Sequence, residues 1–261
     1  MSDDLDIAQS APAPANVVEE WKRFGAFMRS PALPTGTQAR GSAVLATLRI
    51  LLLDLSVMAI LIAALGAASA AGFELPENVN NSLGPNLFAV VLVVVLAPLM
   101  EELFFRSWLA GHPPIMAAIA ICVVGFGGGA LVATLIDPEG TMPALLIIGP
   151  AIALVAAPVS AVVLLKKPVP GFYKRLFPVF FWLSSLAFAM VHLANYTEGA
   201  LWILLPLILP QLVLGTMLGY IRVHHGLIAA IAMHAMHNGL LFSLALLGKL
   251  AEDAGSAAAL S

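Results

Sequence analysis

Charge is what this sequence has least of. Asp, Glu, Lys and Arg make up 10% of its 261 residues, against 61% hydrophobic ones. Soluble domains carry about 25% charged residues, so a chain this poor in charge cannot cover a water-facing surface. The excess apolar side chain has to face lipid. Cysteine is nearly absent. Cys122, the single one, excludes an intrachain disulfide and, set in an apolar run, reads as a small buried hydrophobe rather than a nucleophile. The net charge of -3 and a pI near 6.0 give no hint of nucleic-acid binding. No period-2 alternation recurs, which excludes a barrel. The opening MSDDLDIAQS is acidic where a secretory signal needs a basic region, so insertion is expected to be driven by the first true span.

What is there is apolar sequence in stretches of the roughly 20 residues that a crossing helix needs. Seven candidates cover residues 42–67, 85–109, 114–135, 144–165, 177–196, 201–221 and 226–247. The expected fold is therefore all-α, a polytopic transmembrane helical bundle of about seven spans. Positive charge orients it. With a cytoplasmic N-terminus, Lys22, Arg23, Arg29, Arg40, Lys166, Lys167, Lys174, Arg175 and Arg222 fall inside, Arg106 ends span two on that side, and Arg49 snorkels to it. Only Lys249 falls outside, where Glu74, Glu77, Asp137, Glu139 and Glu198 also lie. Residues 1–40 form a cytoplasmic arm, 41–250 the membrane domain and 251–261 a short tail. In the arm, residues 1–17 are Ala/Pro/Asp-rich and expected to be disordered. Residues 18–30 place Trp21, Phe24, Phe27 and Met28 at helical spacing beside basic side chains. Such a helix either lies on an anionic leaflet or packs against the bundle.

Ionisable groups within spans are costly and are functional candidates by default. They are Asp54, Glu101, Glu102, Arg106, His192, His234 and His237. Asp54 reads as structural, paired with Arg49 or capping a buried network. Glu102 and Arg106 are four apart with the acid N-terminal, the favourable ion-pair order. That pairing leaves Glu101 unpaired and the candidate general base. Pro98 removes a backbone donor and should kink the span. Phe188 and His192 share one helix face, as do His234 and Asn238. A Glu, a His and a His/Asn pair on three separate spans supply a base, a partner to orient it and donors for an oxyanion. His237 is a second possible donor but is expected to face a neighbour or the headgroups. His224 and His225 at the membrane edge and His112 in a loop are expected to be solvated.

Glu101-Glu102-x-x-x-Arg106, Phe188-x-x-x-His192 and His234-x-x-x-Asn238 together resemble the three ordered motifs of the CAAX protease and bacteriocin-processing family of intramembrane endopeptidases. The resemblance runs from about Leu92 to Leu241. It implies that Glu101 and His192 activate the attacking water, that His234 and Asn238 stabilise the tetrahedral oxyanion, and that Glu102, Arg106 and Phe188 brace the site. It also implies a peptide or membrane-protein substrate, prenylated ones included, and residence in a bilayer, by expectation the bacterial inner membrane. Glu101, His192 and His234 could alternatively ligate zinc in the three-ligand catalytic manner. No His-Glu-x-x-His helix is present, and with Glu101 as a ligand another group would have to be the base, so no cofactor is the favoured expectation.

The chain departs from the family in spacing. Glu102 and His192 lie 90 residues apart, because residues 114–165 insert two further apolar runs, expected to form a hairpin that returns the chain to the same side. Depth is a second difficulty. Counted from Phe177, His192 lies about 22 Å along its helix, whereas Glu101 is near the cytoplasmic end of its own. An interfacial aromatic belt at residues 177–182, with the true span starting later, would ease this. Two other functions compete with proteolysis: a non-catalytic binding or immunity protein on the same scaffold, and an ion- or proton-coupled transporter. No inverted repeat of the spans supports the latter.

Overall fold

A computed structural model describes residues 14–34, 42–79, 86–136 and 144–259. The expected disorder of residues 1–13, Arg40 in the arm, and Asp137 and Glu139 in an outer loop lie outside the described residues. Every described element is helical. Helices α1 (Val17–Arg29) and α2 (Ala43–Ala70) are followed by α3 (Leu87–Val90), a π-helical turn (Val91–Leu96) and α4 (Ala97–Phe105). Helices α5 (Pro113–Cys122) and α6 (Gly128–Ile136) flank a second π turn, and α7 (Ala144–Leu164) follows. Helix α8 (Gly171–Val191) ends in a 3₁₀ turn (His192–Asn195), and α9 (Leu201–Leu207), α10 (Leu209–His225) and α11 (Leu227–Ala259) complete the chain. Among the described residues six segments are long and apolar enough to cross a membrane, or seven if α9 and α10, bent by 44° to each other, count as one span. The bend falls at Ile208, between Pro206 inside α9 and Pro210 in the first turn of α10. Proline removes the backbone donors a continuous helix would need there. The chain is an integral, multi-pass helical membrane protein.

The chain divides into two compact units. One, Ser107–Phe177, is built on the inserted hairpin, in which α5, its π turn and α6 pack along α7. Glycine sets how closely they approach. A Cβ on Gly149 would stand 2.0 Å from the Gly125 carbonyl oxygen, and one on Gly125 would stand 2.6 Å from the Ala153 methyl. Small residues bring membrane helices into backbone contact in this way.

The other unit comprises Met1–Arg106 and Pro178–Ser261. Its centre is α10, in which Leu214 to Ile221 are all buried, against α2 and α11. Helix α1 packs on this bundle, against α2 and α10. Its Phe27 meets the rings of Phe181, Tyr220 and His224 at 5.0–5.5 Å. The Trp21 indole donates to the Arg49 carbonyl at 2.8 Å, and the buried Glu20 accepts from the Tyr220 hydroxyl at 2.6 Å. Arg49 does not pair with Asp54. Its guanidinium donates to the Pro14 and Ala15 carbonyls and lies 3.8 Å from Glu20. Burying Glu20 is tolerable only because these donors reach it. Tyr220→Phe is therefore expected to cost about 1.5–3 kcal/mol, the range for a hydrogen bond to a charged group. Thermal unfolding in detergent measures it, and faster hydrogen exchange over residues 17–29 locates it.

In the aromatic run at residues 177–182, Phe177 and Phe181 are fully buried while Val179 and Trp182 are 52% and 42% exposed. Phe27 lies on Phe181, and Gly219 comes so close that a Cβ there would meet Phe181 at 2.7 Å. Arg106, at the end of α4, is 0% exposed. His224 and His225 are half-buried rather than solvated, His224 bonding the Tyr220 carbonyl at 3.0 Å; His112 is exposed as expected.

Candidate active site

The site is assembled on α4, the turn after α8, and α11. Glu102 and Arg106 are both 0% exposed and paired along α4 at 2.9 Å. The guanidinium stacks over the Phe188 ring at 3.8 Å, and Gly215 lies behind both, where a Cβ would come within 3.1 Å of Phe188 and 3.2 Å of Arg106. A cation over an aromatic face away from water contributes about 2 kcal/mol. Arg222 donates from Nε to the Arg106 carbonyl at 2.8 Å, satisfying an orphan acceptor at the end of α4.

Glu102 has a second partner. His234 Nδ1 lies 3.0 Å from the same Oε1. A carboxylate only accepts, so the Nδ1 proton is fixed there and Nε2 is turned to Glu101, whose Oε2 is 3.6 Å away. Glu101 thus has an imidazole neighbour that its sequence position did not reveal. Its side chain keeps 27% exposure, which leaves the carboxylate reachable from the cavity described below. His192 is fixed in a parallel way. Its Nδ1 bonds the Phe188 carbonyl at 2.7 Å, so that nitrogen donates and Nε2 carries the lone pair.

Asn238 donates through Nδ2 to the Val93 carbonyl at 2.9 Å. The reason lies on the facing helix. In the π-helical register the Ala97 N–H bonds the Leu92 carbonyl, five residues back. The next donor in that register would be residue 98, which is proline and has none. Val93 is left without its helical donor, and Asn238 supplies one while keeping a second N–H. The expected effect of Pro98 is therefore a π-turn interruption, closed by a motif residue from α11.

Glu101, His192, His234 and Asn238 all line one cavity of about 1050 Å³. Its walls run along Leu92 and Val93, past Asn195, and down α11 to Lys249. These positions lie toward the start of the α3–α4 span and the far ends of α8 and α11. Arg222 and Arg106 mark the other end of the unit. A cavity opening on the basic, cytoplasmic side is expected from the charge pattern; the lining extends the opposite way.

Sequence reasoning missed one pair. His237 faces a neighbouring helix, one of its two expected placements, but its partner there was not foreseen. Its Nδ1 is 2.5 Å from Oδ2 of Asp54 on α2, and its ring lines the same cavity. Asp54, 183 residues earlier, was a lone acid with no signal connecting it to a histidine. Among the described residues no three His, Cys, Asp or Glu side chains are grouped to hold a metal ion.

A family model described as type II CAAX prenyl endopeptidase, Rce1-like, matches residues 83–240, more than half of the chain. No curated protein and no solved structure matches.

Proposed function

The chain belongs to the Rce1-like type II CAAX prenyl endopeptidase family, and on that premise we propose that it hydrolyses a peptide bond inside the membrane with a water activated by Glu101 and His192. The family is one of peptidases. The observation that carries the finer reading is the convergence of Glu101, His192, His234 and Asn238 on one cavity. Glu101 is the base that takes the proton of water. His192, its Nδ1 tied to Phe188, offers Nε2 to orient that water. His234 and the free N–H of Asn238 bind the oxyanion as the carbonyl becomes tetrahedral. Because Nδ1 of His234 already donates to Glu102, its Nε2 donates to the oxyanion in the imidazolium form. Glu102, Arg106 and Phe188 hold these groups without touching substrate.

The substrate class is a peptide or the terminus of a membrane protein, lipid-modified ones included, and the setting is the bacterial plasma membrane. The chemistry is metal-free: the donors are not grouped as three ligands, and Glu101 is kept for the base. Comparison of protein termini between cells carrying wild type and Glu101→Gln tests the activity. Termini present only with wild type are expected; identical sets contradict the proposal. Elemental analysis of active, purified protein tests the chemistry. Full activity after exhaustive chelation, with less than stoichiometric zinc, is expected. One zinc per chain, lost together with activity, overturns the metal-free mechanism and leaves the peptidase standing.

A further inference from the structure

Asp54 and His237 are buried ionisable groups that the mechanism above does not use. Asp54 is 0% and His237 6% exposed, in spans where every such group is costly. We propose that His237, aimed by Asp54, is a further catalytic residue: the proton donor to the amide nitrogen that leaves. This rests on the peptidase reading and adds the half of the reaction that the reading leaves unassigned.

Three observations carry it. The Asp54 carboxylate only accepts, so the 2.5 Å contact fixes a proton on Nδ1 and turns Nε2 away. Nε2 has no hydrogen bond among the described residues, and the ring borders the cavity that holds Glu101. Its place on the helix is the third. At about 100° per residue, Asn238 lies about 40° to one side of His234 and His237 about 60° to the other. A carbonyl oxygen held between His234 and Asn238 therefore has His237 on its remaining flank. The other titratable groups at the cavity are Glu101 from α4, His192 after α8, and His234 and Lys249 on α11 itself, with Glu102 and Arg106 paired to each other.

The step balances. A water O–H breaks as its proton passes to Glu101 and its oxygen bonds the carbonyl carbon. The C–N bond then breaks, its electron pair going to nitrogen, which takes the proton from Nε2 of the His237 imidazolium. Asp54 compensates the charge of that imidazolium beforehand. Glu101 afterwards releases its proton and His237 takes one up, so the only net change is the water consumed.

The test uses a farnesylated peptide ending in CAAX and the depsipeptide in which the scissile amide is an ester. An alkoxide leaves with far less need of a proton than an amine does. His237→Gln is expected to lower kcat on the amide by about 10²–10⁴, and on the ester by no more than roughly tenfold. Asp54→Asn should shift the amide-to-ester ratio in the same direction, and Glu101→Gln should lower both rates alike. Equal losses on the two substrates in His237→Gln and Asp54→Asn would make the pair a structural tie between α2 and α11 and overturn the proposal. Failure of both variants to fold would assign the pair to stability with the same result. A wild type that hydrolyses neither probe removes the peptidase reading, and this inference with it.

Discussion

Glu101→Gln is expected to lower turnover by about 10²–10⁴ or more while leaving the yield and thermal unfolding of the protein unchanged. The substitution keeps shape and hydrogen bonding and removes only the ability to take a proton. Structurally it is mild. Glu101 is the less buried of the two acids, its Oε2 has no hydrogen-bond partner, and the amide of Gln occupies the same space. Asn238→Ala gives the useful contrast. It removes an oxyanion donor, at about 10²–10³ in turnover, and also the bond that holds the Val93 carbonyl. Glu101→Gln should therefore separate activity from stability, whereas Asn238→Ala should disturb both. Steady-state kinetics beside thermal unfolding in detergent decides it, and a Glu101→Gln protein with wild-type turnover removes this residue as the base.

Arg106→Ala is expected to have the largest effect on folding, about 3–5 kcal/mol, because it strands a fully buried carboxylate. Glu102 would keep His234 on Oε1 and nothing on Oε2, and the cation over Phe188 would be gone. Arg106→Lys should fall between, since an ammonium restores charge but not the flat stack on the ring. Unfolding midpoints in detergent and the yield of folded protein measure the series. Equal losses of folded protein in Arg106→Ala and Glu101→Gln would contradict the division between a bracing pair and a reacting acid.

Sequence made the bundle legible because membrane spans announce themselves one at a time: each needs its own run of apolar residues, and each was visible alone. The Glu102–Arg106 pair was legible for the same local reason, since both groups sit one turn apart on one helix. Pairs made across helices were not. Asp54 with His237, Glu20 with Tyr220 and Asn238 with Val93 join residues 183, 200 and 145 apart, and no spacing rule connects such positions. The aromatic run at residues 177–182 divides between the two kinds, with Trp182 exposed and Phe181 buried. Its composition suits a membrane interface, and only the packing of α1 and α10 turns Phe181 into core. Residues 18–30 left two homes open because an amphipathic face does not say whether lipid or protein covers it.

Glu20 and its partner Tyr220 are separated by 200 residues of sequence. At a synthesis rate of about 5–20 residues per second, α1 leaves the ribosome roughly 10–40 s before α10 does. Helix α2 follows at once and receives Trp21 at the Arg49 carbonyl, but the Tyr220 ring that Phe24 and Phe27 meet, and the hydroxyl that Glu20 needs, arrive only at the end of that interval. An amphipathic helix with basic side chains is suited to such a wait, because a bilayer surface can cover its apolar face and water its acid until Glu20 and Phe27 are buried.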